Sequence, residues 1–192
     1  MSLDIIYGCM YSEKSTRLIT FVTKCADIGL NCLYINHSKD IRLTESNDDI
    51  VSTHNSTYQK LSPKVKSAKI SRLDEIDVSD YHVIGIDEGQ FFSGIVPTIR
   101  KWVLTLKKKV LIASLDSDFK LQPFGEVHLL IGLCAPGHIT KLYAICKKCE
   151  PHKMKKAGCT MKITDDNTLI DVGGADKYLP VCLECYQKYN TH

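Results

Sequence analysis

The sequence lacks any apolar run of the roughly 20 residues a bilayer-spanning helix needs, and its first residues lack the layout of a secretory signal. Insertion into or export across a membrane is therefore not expected, and a cytoplasmic location is. A strong charge imbalance is also missing. The 25 Lys and Arg against 22 Asp and Glu leave a net charge of +3, too little to imply a nucleic-acid partner by itself. Internal repeats and low-complexity tracts are absent, and 44% hydrophobic with 24% charged residues gives no ground for disorder. Cysteine is not scarce: nine occur in 192 residues. In a cytosolic chain these read as free or metal-bound thiols rather than disulfides.

A more local absence carries more information. The stretch GCMYSEKST, residues 8–16, supplies Gly8, Lys14 and Ser15 of a G-x-x-x-x-G-K-[ST] phosphate loop, but Glu13 stands where the second glycine belongs. Its surroundings suit such a loop. Leu3–Tyr7 is short, apolar and β-branched, which predicts a buried strand running into Gly8. From Lys14, apolar residues at 18, 22 and 25 or 26 predict a helix that stops at Gly29. In such a loop, backbone amides and a helix N-terminus cradle a triphosphate, the lysine neutralises its β- and γ-phosphates, and the hydroxyl reaches Mg²⁺. The plainer alternative is an exposed Lys-Ser-Thr that merely opens a helix.

Further strands are predicted at 31–36, 82–87 and 109–115, with a short helix near 72–76 and an amphipathic helix over 95–108 through Ile99, Val103 and Leu106. Residues 43–62 are polar and read as a long surface loop. Near-continuous apolar strands alternating with helices predict an α/β fold with a mostly parallel sheet of the P-loop NTPase kind. The strand at 82–87 ends in Asp87-Glu88, where such a fold presents a second magnesium contact and a proton acceptor. Alone, an acidic pair is more often a solvated strand end.

Beyond about residue 142 the composition changes. Cys146-x-x-Cys149 and Cys182-x-x-Cys185 are two thiolate knuckles suited to tetrahedral Zn²⁺, although the segment between them is longer than the commonest spacing. Four protein ligands leave no open position, so such a zinc is structural. Reduced buried cysteines and a redox pair are the alternatives; Cys159 and His152 read as bystanders. The expected organisation is an α/β nucleotide-binding core over 1–142 and a small zinc module over 143–192.

These motifs together resemble the type II (cytosolic) thymidine kinases over nearly the whole chain. Lys39-Asp40-Ile41-Arg42, Thr53-His54, IGIDEGQFF at 84–92, Ala113–Phe119, Pro123-Phe124-Gly125 and GGADKY at 173–178 carry the resemblance along with both Cys pairs. It implies transfer of the γ-phosphoryl group of ATP, with Mg²⁺, to the 5′-hydroxyl of thymidine. Glu88 then matches the catalytic base, with Arg42 and Lys14 stabilising charge on the transferred group and Asp40 orienting Arg42. ATP and magnesium contacts are implied at Gly8, Tyr11, Ser12, Glu13, Lys14, Ser15, Thr16, Asp87, Glu88 and Gln90. The resemblance places thymine among Met10, Phe91, Leu115, Phe119, Phe124 and Tyr178. Thr160 and Leu169 shape the pocket, and a lid with Gly173 and Gly174 closes over it. A homotetramer and feedback inhibition by thymidine triphosphate are also implied.

Cys9 and Tyr11 replace the family's Pro and Phe, and Glu13 its glycine. A non-glycine residue at positive φ costs about 1–3 kcal/mol. A carboxylate about 8 Å from a phosphate charge, at an effective dielectric of about 20, adds about 2 kcal/mol of repulsion. Either effect weakens ATP use by about ten- to several-hundred-fold. Two rivals stand beside the kinase: a catalytically impaired nucleoside- or nucleotide-binding pseudo-kinase, and a nucleic-acid-binding ATPase gripping phosphates through Lys147, Lys148, Lys153, Lys155 and Lys156. Against the latter, lysines on a zinc knuckle read more simply as a solvated face, since no aromatic residues interleave with them.

Overall fold

The computed structural model describes residues 1–40, 50–51, 59–164 and 176–189. Six strands, β1 (Ser2–Tyr7), β2 (Cys32–His37), β3 (Val65–Ile70), β4 (Val83–Ile86), β5 (Lys109–Ser114) and β6 (Ile139–Lys141), form one sheet. Their order is β3-β2-β4-β5-β1-β6, and every neighbouring pair runs parallel. A parallel sheet is covered on both faces, which is why its inner strands read as unbroken apolar runs. All four residues of β4 are buried, as are the last five of β5.

Helix α1 (Lys14–Asp27) covers one face, packing Leu18, Ile19, Val22 and Ala26 against Ile6, Tyr34, Val83 and Leu111. Gly85 in β4 permits this approach, because a Cβ there would lie 2.7 Å from Val22 and 3.1 Å from Leu18. The helix ends as expected at Gly29, whose φ of 89° suits only glycine without strain. On the other face Leu3, Ile5, Ile86 and Ile112 meet Ile99 and Trp102, together with a 3-10 segment at Val127–Leu133.

The helix expected over 95–108 is shorter. α2 spans Ile95–Arg100 and passes into a π-helical turn at Lys101–Thr105, in which the Leu106 amide donates to the Lys101 carbonyl. The wider turn buries adjacent Trp102 and Val103 and leaves Leu106 39% exposed, so Leu106 is not part of the core stripe. The helix expected near 72–76 is a single 3-10 turn, Leu73–Glu75. Within the segment expected to be a loop, Ile50–Val51 pairs antiparallel with Gln59–Lys60; the rest of 43–62, apart from Leu61 and Ser62, lies outside the described residues.

Two short antiparallel ladders follow: β7 (Ala144–Ile145) with β8 (Lys156–Ala157), and β9 (Cys159–Lys162) with β10 (Tyr178–Val181), before α3 (Leu183–Tyr189). Their small core gathers Ala144, Ala157, Met161, Val181 and Tyr186 around Cys9, which comes from the loop after β1.

Candidate active site

β1, β4 and β5 are neighbours, so their C-terminal ends deliver residues 8–15, 87–90 and 114–115 to one edge of the sheet, where ligands of open α/β folds bind. Gly8 makes the turn out of β1; a Cβ there would sit 2.4 Å from Ser12 Oγ and 2.9 Å from the Leu142 carbonyl oxygen. Ser12 Oγ and the buried Lys14 ammonium both donate to the Cys9 carbonyl at 2.8 Å. Glu13 sits in the left-handed region at φ 66°, as the missing glycine predicts, and its carbonyl accepts from the Arg17 amide to start α1. Tyr11 shares that unusual φ of 66°. Thr16 is half-buried, and its carbonyl accepts from Thr20 Oγ1.

The phosphate loop and the acidic pair meet directly. Ser15 Oγ donates to Asp87 Oδ1 at 3.1 Å, and Tyr34 Oη donates to Asp87 Oδ2 at 2.7 Å. A hydroxyl and a carboxylate oxygen this close match the edge of about 3 Å between adjacent ligands of an octahedral Mg²⁺ site, and both are hard oxygen donors, so the pair fits that ion. Glu88, also at positive φ (52°), accepts from Gln90 Nε2 at 2.5 Å, while Gln90 Oε1 accepts from Ser114 Oγ and the Leu115 amide. Asp40 is buried and accepts from Asn36 Nδ2. Arg42, its expected partner, lies outside the described residues.

The residues expected around the base divide into two groups. Met10, Phe119 and Tyr178 pack together with Leu115 and Tyr11 against them. Phe91 instead stacks edge-on with Phe124 at 5.7 Å and faces His37. Thr160 Oγ1 accepts from the Met10 amide at 3.0 Å and Cys9 Sγ donates to the Ala157 carbonyl, so β8 and β9 hold the phosphate loop itself. Leu169, Gly173 and Gly174 lie outside the described residues.

The four knuckle thiols lie within 4.8 Å of one another, with Cys149 Sγ 3.8 Å from Cys182 and 3.6 Å from Cys185. A zinc tetrahedron with bonds of about 2.3 Å has edges of about 3.8 Å, so the site fits that ion. Burial opposes charge on Cys146, but the amides of Cys182, Lys148 and Cys149 outweigh it and bring that thiol down to about 6. Burial dominates at Cys9, whose thiol is pushed up despite a hydrogen bond with Ala144 and the nearby Lys14 ammonium. Cys159 is buried in the small core, and His152 meets Glu150 on the surface.

The thymidine kinase family model matches residues 1–186. The chain belongs to the thymidine kinase family. Membership makes it a phosphotransferase enzyme, and the type II resemblance read from the sequence holds. It is 37% identical to the thymidine kinase of Choristoneura biennis entomopoxvirus, over all of this chain and 99% of that one. Identity to the thymidine kinase of Fowlpox virus is 33% over 96% of each. The thymidine kinase 1 of Dictyostelium discoideum is 34% identical over 96% of this chain and 77% of its own length. A cleft of about 1390 Å³ runs along α1 beside Tyr11, Glu13 and Arg17 and continues past Asp4 and Lys24; Lys14, Ser15, Asp87 and Glu88 do not line it. Among the described residues, no helix is long and apolar enough to cross a membrane.

Sequence reasoning did not find Tyr34 or Ser114. Tyr34 lies in the strand predicted at 31–36, and nothing in its local spacing points to Asp87, 53 residues away.

Proposed function

We propose that the chain transfers the γ-phosphoryl group of ATP to the 5′-hydroxyl of thymidine. The observation that carries this reading is the Ser15–Asp87 contact, which unites the phosphate loop with the acidic pair at one sheet edge. Lys14 neutralises the β- and γ-phosphates, Glu88 accepts the proton of the attacking hydroxyl, and Arg42, oriented by Asp40, stabilises the transferred group. Ser15 and Asp87 would hold Mg²⁺, which would supply charge neutralisation to the triphosphate. The remaining loop residues, Tyr11 to Thr16, line the triphosphate.

Met10, Leu115, Phe119 and Tyr178, with Phe91 and Phe124 at the edge, enclose the base, and Thr160 and Leu169 shape its pocket. The lid carrying Gly173 and Gly174 closes over the base, anchored by a zinc held by Cys146, Cys149, Cys182 and Cys185. Residues 143–192 thus form the substrate-closing module appended to the 1–142 core. Action in the cytoplasm as a homotetramer, inhibited by thymidine triphosphate, completes the reading.

A panel of pyrimidine nucleosides assayed with ATP and Mg²⁺ tests it. Thymidine monophosphate is the expected product; no turnover with any nucleoside contradicts the proposal. The left-handed backbone at Glu13 favours one second reading, a pseudo-kinase that binds without turnover. Thymidine binding with no product in the same panel identifies it.

A further inference from the structure

We propose that Gln90 is the positioning residue of Glu88, acting through a side-chain amide whose orientation the edge of β5 dictates. The inference rests on reading Glu88 as the base. It gives Gln90 a task different from the ATP or magnesium contact implied by the family resemblance.

Gln90 is 4% exposed and cannot exchange its partners for water. The Leu115 amide lies 3.0 Å from Gln90 Oε1. A backbone N–H can only donate, so the amide atom facing it must be the oxygen. Ser114 Oγ, 3.1 Å from the same oxygen and also 3.0 Å from the Leu115 carbonyl, can add a second bond but is not needed to decide the orientation. The nitrogen then faces the other way and donates to Glu88 Oε2 at 2.5 Å. A reversed amide would set N–H against N–H at Leu115 and a carbonyl dipole against the Glu88 carboxylate.

The main chain of Gln90 is pinned as well. Gly125 presses on it so closely that a Cβ would lie 2.4 Å from its carbonyl oxygen and 2.7 Å from its Cα. Glu88 itself occupies a left-handed backbone conformation with φ 52°. A charge-assisted N–H bond from Gln90 gives the Glu88 carboxylate a directional restraint.

The test compares kinetics of Gln90→Glu and Gln90→Leu in the native chain and in the Glu88→Gln background. Gln90→Glu keeps an acceptor for Leu115 and Ser114 but replaces the donor to Glu88 with a second carboxyl, so it separates anchoring from positioning and stands in if Gln90→Leu fails to fold. The expected result is a fall in kcat of about 10- to 100-fold with KM for thymidine changed by less than about threefold. In the Glu88→Gln background, where no carboxylate remains to be positioned, either change at residue 90 should alter kcat by less than about threefold. Native kcat in both variants overturns the proposal, and so does an equal fold-loss in the two backgrounds. Native turnover in Glu88→Gln alone overturns the base reading and this inference with it. A crippled Glu88→Gln beside fully active Gln90 variants overturns only the positioning role.

Discussion

Glu13 holds a backbone angle that costs a residue with a Cβ about 1–3 kcal/mol, at the mouth of the phosphate loop. Its carbonyl begins α1, so relief of the strain tightens both the loop and the first helical turn. Glu13→Gly should lower KM for ATP by roughly ten-fold or more and raise the unfolding free energy by about 1 kcal/mol. ATP titration of initial rates, with a denaturation curve, checks both; an unchanged or higher KM contradicts the strain-and-repulsion account. His37 offers a second residue-scale test. Burial, then the neighbouring Lys39 ammonium, hold its pKa below the usual histidine value, and its Nδ1 accepts from the Lys39 amide. The unfolded chain therefore binds more protons in that window, so the stability His37 contributes is full above about pH 6.5 and is lost as pH falls toward its folded value. His37→Gln should flatten that part of the stability–pH curve, as measured by denaturant midpoints between about pH 5 and pH 7.

At the scale of elements, the phosphate loop depends on the β7–β10 ladders. Met10 N–H has Thr160 Oγ1 as its acceptor, and Cys9 fills the core those ladders share. Thr160→Val keeps the shape but leaves a buried amide unpaired, at a cost of about 1–3 kcal/mol. Weaker ATP binding together with a lower melting temperature is expected; ATP affinity equal to that of the native chain would show that the loop holds itself. The sheet was legible in the sequence because residues 83–86 and 110–114, apolar on both faces, have few alternatives to a buried parallel strand. The π turn at 101–105 was not, since helical spacing does not show that adjacent Trp102 and Val103 are both buried in the core. The Ile50–Val51 ladder with Gln59–Lys60 was hidden for a similar reason, because its polar surroundings read as loop.

For the whole molecule, the two metal-suited sites do different work. The four-thiol cluster ties β7, β10 and α3 together, and the same small core supports Cys9 in the phosphate loop. Stripping zinc with a strong chelator should therefore lower both the melting temperature and the affinity for ATP, with one zinc released per chain. Retention of both would confine the metal to a local role. The motifs of the site were readable from spacing alone: Gly8, Lys14, Ser15, Asp87 and Glu88 occur within short stretches. Tyr34, Ser114 and the orientation of Gln90 were not, because each acts across strands distant in sequence and adjacent only in the sheet. The central claim is that Glu88 removes the proton of the attacking hydroxyl. Glu88→Gln, which keeps the size of the side chain and one acceptor oxygen but not its basicity, measures it most directly. Formation of thymidine monophosphate at saturating ATP should fall by about 10²- to 10⁴-fold with thymidine binding retained; turnover equal to that of the native chain would contradict the account.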